Sequence, residues 1–342
     1  MADKILAKDK LDEFIAKLRE EADVYAPARV GAKTTWQEVN GAEGLDWDFT
    51  NTEMSPKDFF FPQTECMMRF KNAKDDPEGM IMKAEELLPR SRVLLNMRPC
   101  DAKAFQVLDM IFVQDEMTDD VYWRDKREKT LVAGLACNEP CPTCFCSSVN
   151  CGPHHQVGMD LLFVDLGDKL LVKVLTEKGE AASADLPPAA AADEAKAAEL
   201  KAAAEAAISS KVSLDKINAR EVLDLYNLPM WDKVHEACLN CGTCTFVCPT
   251  CHCFDIQDEV QGQEGRRVRN WDYCMSWLFT MHGTGHNPRG KKKDRVRQRF
   301  MHKFKYIPVK RDGEIGCVGC GRCIQMCPVN IDVRQVVDQM NS

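Results

Sequence analysis

Two stretches of this chain repeat one spacing: Cys238-x2-Cys241-x2-Cys244-x3-Cys248-Pro249 and Cys317-x2-Cys320-x2-Cys323-x3-Cys327-Pro328. Three thiols two residues apart force a tight loop, with backbone amides turned toward whatever the thiols hold. The fourth cysteine heads a helix, whose first turn the proline presets. Such a loop wraps three corners of a 4Fe–4S cubane, and in two-cluster proteins the fourth thiolate crosses to the other cluster. The spacing therefore predicts one cluster on Cys238, Cys241, Cys244 and Cys327, and a second on Cys248, Cys317, Cys320 and Cys323. A pair of zinc sites is the plainer alternative, but zinc needs only two CxxC pairs and no x3-C-Pro.

Eighteen cysteines in 342 residues make the compartment decisive. The N-terminal MADKILAKDKLDEFIAKLREEA carries charges throughout and lacks an apolar h-region, so no signal peptide is expected. No apolar run approaches the roughly eighteen residues of a membrane span. The expectation is a cytoplasmic protein, where thiols bind metal rather than form disulfides. A net charge of −8 argues against nucleic acid as the main partner. The basic stretch KKKDRVRQRFMHKFKYIPVK (291–310) is read as a solvated face that offsets cluster charge and docks an acidic partner.

Length allows two domains. Residues 4–21 have the apolar spacing of one amphipathic helix. VYAPARV and KTTWQEV read as strands broken by Gly31, SRVLLNMR and KTLVAGLAC as buried strands, DAKAFQVLDMIF as a helix, and residues 159–176 as a hairpin about Gly167-Asp168. Residues 181–207 read as a Pro/Ala linker followed by a solvated helix, and 213–228 as one further helix with Ser213 as its cap. The fold class expected is α+β. An N-terminal α/β domain with a mixed sheet (1–228) precedes a mainly helical, bacterial-ferredoxin-like dicluster domain (229–342) with a long insert.

Ten cysteines lie outside the two runs. Cys100 and Cys137 each follow a predicted strand, and Cys141, Cys144 and Cys146 come within ten residues of Cys137. Thiols at the ends of neighbouring strands converge, so a third cluster is expected in the N-terminal half; the alternative is a reduced thiol patch. Cys251, Cys253 and Cys274 are read first as packed hydrophobes. They also allow a thiol-dependent reductase of disulfides or sulfur compounds. Cys66 and Cys151 have no partner at ligand spacing. Neither a G-x-G-x-x-G after a strand nor a P-loop occurs, so flavin and nicotinamide are expected on another chain.

The segments RPCDAKAF, ACNEPCPTCFCSS, GPHHQVGMDLLFVDL, CPTCHCFD, RNWDYC, GHNPRG, HKFKYIPV and CVGCGRCIQMCPVNID occur in that order. From about residue 60 onward the chain resembles the beta subunits of cytoplasmic sulfhydrogenases and the iron–sulfur electron-transfer subunit of anaerobic sulfite reductase. Similar subunits accompany heterodisulfide-reductase-type complexes. The resemblance implies an electron carrier without substrate chemistry of its own. It would link a flavin- and NAD(P)H-binding partner to a catalytic partner. It also maps the ligands of a third cluster onto Cys100, Cys137, Cys144 and Cys146, with Cys141 and Cys151 as additions of this sequence.

Overall fold

The computed structural model describes residues 2–72, 80–114 and 118–342. A seven-stranded mixed sheet runs in the order β1-β9-β8-β7-β6-β2-β3. Its strands are β1 (Lys4–Ala7), β2 (Ala22–Val30), β3 (Lys33–Glu38), β6 (Ser91–Met97), β7 (Thr130–Leu135), β8 (Leu161–Asp165) and β9 (Lys169–Val174). The central four, β2, β6, β7 and β8, are parallel, and antiparallel strands close both edges. Central strands such as VLLNM are apolar almost without interruption because helices and loops cover both faces. One face packs Phe14 and Ile15 of helix Leu11–Glu21 against Val24, Leu95 and Phe163. The other packs Phe60 and Phe61 with Phe105, Trp123 and Leu162.

The hairpin expected about Gly167-Asp168 forms, and the strands broken by Gly31 pair as a second one, with φ of +114° and +61° at the two glycines. Two expectations change. The helix predicted for residues 4–21 begins only at Leu11, because Lys4–Ala7 is drawn into the sheet as an edge strand on β9. The helix predicted for 213–228 splits into Asp215–Ala219 and Val222–Tyr226. Lys305 Nζ takes the carbonyls of Ile217 and Asn218, both at 3.1 Å, which a continuous helix would need for its next turn. The Ala-rich helix Ala191–Ala207 forms and buries little beyond Ala197 and Ala204.

A second, antiparallel sheet has the order β10-β11-β4-β5. It joins β4 (Thr64–Asn72) and β5 (Met80–Ala84) to β10 (Phe254–Gln261) and β11 (Glu264–Trp271). The insert between the two cysteine runs thus supplies half of a sheet begun far earlier in the chain. The remainder of the C-terminal half is helical, around Trp231, Val296, Phe300, Met301, Val333 and Val337.

The two halves interlock. Ala104 and Val107, on helix Pro99–Phe112, pack against Val318 and Cys320 of the second run. Beside them Asp101 receives both Nη atoms of Arg322 at 2.5 and 2.8 Å, with each side chain almost wholly buried. Arg322 Nε also donates to Thr52 O at 2.7 Å. Burial opposes the Arg322 charge, but Asp101 outweighs it and holds the guanidinium protonated. Removing one partner of such a pair strands the other charge. Asp101→Ala should therefore cost about 3–5 kcal/mol, read as a lowered thermal midpoint, and Asp101→Asn should cost less.

Candidate iron–sulfur centres

The two cysteine loops share one backbone course. Asn240 and Gly242 in the first, and Gly319 and Gly321 in the second, all have positive φ, between 55° and 78°. These turns aim amides at sulfur: Asn240 N lies 3.4 Å from Cys238 Sγ and Gly319 N 3.5 Å from Cys317 Sγ. Ile331 N donates to Cys327 Sγ at 3.2 Å. Cys238, Cys241, Cys244 and Cys327 line one cavity, with Cys323 on its wall. Cys248, Cys317, Cys320 and Cys323 line a second. The fold thus brings the four members of each expected group to one cavity, and Cys323 lines both.

A third cavity collects Cys100, Cys137, Cys141, Cys144 and Cys146, and Cys320 lines it as well. It forms at the C-terminal ends of the parallel neighbours β6 and β7, where α/β sheets hold their ligands. Cys100 sits in the first turn of the helix that follows β6, and Cys137 lies two residues beyond β7. The loop carrying Cys144 and Cys146 is pressed onto the second cysteine run, with Phe145 N donating to Gly319 O at 2.9 Å. A Cβ on Gly319 would lie 2.6 Å from the Cys146 backbone, and one on Gly321 2.7 Å from Thr143 O. Cys141, which the resemblance leaves out, faces the same cavity and points its Sγ at Cys320 O, 3.7 Å away. Cys151 lies behind Cys146, its N donating to Cys146 O, and Cys66 sits apart on β4.

Cys253 precedes β10 and Cys274 follows β11, so the hairpin brings them together at its base. Cys251 joins them next to Cys248. Three buried cations surround this edge of the second cavity. Lys57 Nζ donates to Cys251 O at 2.8 Å, and Lys303 Nζ to Thr250 Oγ1 at 2.7 Å. Arg299 reaches Cys244 O at 2.8 Å and Cys251 Sγ at 3.6 Å. Burial pulls the Lys57 ammonium down to about 8 against the pull of Cys251 and Cys248. It opposes the Lys303 charge too, but there Cys248 and Cys251 prevail and hold the ammonium protonated. The run 291–310 is consequently a solvated face only at its ends, Lys291 and Lys310: Arg295, Arg297, Arg299, Lys303 and Lys305 are all buried. Sequence reading missed Lys57, Lys303 and Arg322 as members of these sites. The available signal was Val296, Phe300, Phe304 and Ile307 interleaved at helical spacing with the cations, which marks a buried face.

The donor set fits iron–sulfur groups. Burial raises the thiols of Cys100, Cys137 and Cys323, and pushes Cys320 to about 11 and Cys317 to about 12. Unliganded, these five would stay protonated, whereas a hydrogen bond with Cys251 and the charges of Lys303 and Arg299 draw Cys248 well below the usual thiol range. Metal-bound thiolates would supply the anions that the buried Lys303 and Arg299 call for. Among the described residues no three His, Cys, Asp or Glu side chains are placed to hold a single ion. At least four thiols line each cavity, the number of ligands a 4Fe–4S cluster takes.

Residues 237–331 match the family model of the 4Fe-4S dicluster domain, so the fold and its cysteine loops define an iron–sulfur protein of the dicluster class. The chain is also 30% identical to sulfhydrogenase 2 subunit beta of Pyrococcus furiosus, over 98% of its own length and 97% of the relative's. It belongs to that relative's family, the sulfhydrogenase beta subunits, and is an iron–sulfur electron-transfer subunit. No solved structure matches it. No helix among the described residues is long and apolar enough to cross a membrane. Gly319→Ala should cost more than the roughly 1–2 kcal/mol of a left-handed backbone, because its Cβ also displaces the Cys146 loop. The readouts are the thermal midpoint and iron per chain, and both should fall.

Proposed function

We propose that this chain carries electrons through three 4Fe–4S clusters. It would connect a flavin- and NAD(P)H-binding partner with a catalytic partner of the hydrogenase, sulfite reductase or heterodisulfide reductase type. One observation carries the reading: the cavities form a series. Cys320 lines both the N-terminal cavity and the second, and Cys323 lines both the second and the first. An electron on any one centre would then have a neighbour one cysteine away. The ligands in this reading are Cys238, Cys241, Cys244 and Cys327 for the first cluster, and Cys248, Cys317, Cys320 and Cys323 for the second. Cys100, Cys137, Cys144 and Cys146 would hold the third. The dicluster unit is taken as 229–342, supported by a family match that begins at residue 237. A cytoplasmic setting agrees with eighteen cysteines that are all free.

The convergence of Cys251, Cys253 and Cys274 favours a second reading, a thiol-dependent reductase. Burial of Cys274 and the enclosure of Cys251 by Lys57 and Arg299 instead suit groups that tune the neighbouring cluster. Turnover of a disulfide by the chain alone would reverse that preference.

Three measurements test the main reading. Cys248→Ala should disturb the cluster held by Cys317, Cys320 and Cys323; loss confined to the cluster of Cys238, Cys241 and Cys244 would contradict the crossed assignment. The full chain, purified without oxygen, should carry about twelve irons and no stoichiometric flavin. Changing Cys144 and Cys146 together to Ala should leave about eight and remove one cluster signal from the EPR spectrum. Eight irons in the parent chain would make the N-terminal thiols a packed, reduced patch.

A further inference from the structure

Of the eighteen cysteines only Cys241 is exposed. Beside it Leu239 stands in solvent, 64% exposed. The Asn240 side chain ties this loop to the one that follows Cys274, donating to Met275 O at 3.2 Å. That second loop carries Trp277, Leu278 and Met281, exposed by 50%, 62% and 38%. It is a held shape: Asn287 Nδ2 donates to Trp277 O at 2.6 Å, Thr280 Oγ1 to Asn287 Oδ1 at 2.8 Å, and His282 N to His286 O at 2.8 Å. Leu239 lines the cavity of Cys238, Cys241, Cys244 and Cys327, and so does Met275, two residues before Trp277. Four large apolar side chains exposed on two loops tied together beside that cavity are the mark of an interaction site.

Its charge says what kind of partner fits. In a chain of net charge −8, residues 275–293 contain no Asp or Glu but carry Arg289, Lys291, Lys292 and Lys293. Lys293 is balanced by Asp232 at 2.7 Å, and Lys292 is turned to Glu236 O. Lys291 is exposed and Arg289 half-buried, on the stretch that follows the apolar loop. A basic stretch continuous with an apolar loop steers an acidic protein toward that loop and seats an apolar surface there.

We propose that the loop 275–293 and Leu239 form the docking face for an acidic redox protein, which exchanges electrons with the chain through the Cys238–Cys241–Cys244–Cys327 centre. The inference rests on the reading of that centre as a 4Fe–4S cluster. The step is a single electron transfer: the partner's cofactor loses one electron, the cluster gains it, and no bond forms or breaks.

The probe is a reduced plant-type 2Fe–2S ferredoxin, a small acidic protein, mixed anaerobically with the oxidised full chain in a stopped-flow instrument. Transfer should slow as salt rises. Trp277→Ala with Leu278→Ala, and separately Lys291→Glu, should each slow it about tenfold while reduction by dithionite, iron content and thermal midpoint stay unchanged. Variants that accept electrons at the parent rate, no transfer to the parent chain, or transfer that quickens with salt would each overturn the proposal. So would a self-associating parent chain that Trp277→Ala with Leu278→Ala makes monomeric, since a second copy would then be the occupant. Retarded migration of RNA at physiological salt, abolished by Lys291→Glu, would assign the basic stretch to nucleic acid instead. A parent chain lacking the cluster would bring down the earlier reading, and iron content tells that failure from the others.

Discussion

The buried pair between Asp101 and Arg322 holds the two cysteine systems in register. Asp101 follows Cys100 on the helix after β6, and Arg322 lies between Cys320 and Cys323 in the second run. Fixing one to the other fixes the distance between the N-terminal thiols and the dicluster loops. Paired hydrophobes would have offered the same region comparable stability, because a buried ion pair gains little once desolvation is subtracted. What the pair adds is direction: a bidentate fork accepts only one orientation of the loop that carries Cys320. Gly319 and Gly321 complete the contact by omitting side chains where the backbones touch.

Around the second site the electrostatics depend on a ligand. Lys57, Arg299 and Lys303 are buried and bonded to carbonyl, hydroxyl and sulfur atoms. Such an arrangement balances when the neighbouring thiols are ionised. The same cations would then act on the electronics of a cluster held there, since nearby positive charge and hydrogen bonds to sulfur raise its potential. Lys303 occupies a wide turn, His302–Tyr306, in the helix that crosses the site, and such turns gather where a helix serves a function.

Some of this was legible from residue order and some was not. The cysteine runs were, because their spacing is a local geometric demand that any fold must satisfy. So was the approach of Cys100 to Cys137, since parallel neighbouring strands deliver their ends to one edge. The strand Lys4–Ala7 and the break at Arg220 were hidden: one depends on an open sheet edge offered by β9, the other on a lysine 88 residues away from Ile217. The burial of the 291–310 cations was hidden as well. Charge alone reads as solvation unless the ligand that neutralises it is known.

The sequence by itself determined which thiols belong to which run, the strands of the mixed sheet, and the hairpin about Gly167-Asp168. All of these follow from spacing, periodicity and turn residues within short stretches. Only the tertiary structure decided that the second sheet is shared by the two halves, that Cys320 and Cys323 stand on common walls, and that Cys141 faces the third cavity. Those facts depend on which distant surfaces meet. Contacts such as Gly319 with Cys146 are selected by the shape and burial of the whole chain, and local residue preference carries no record of them.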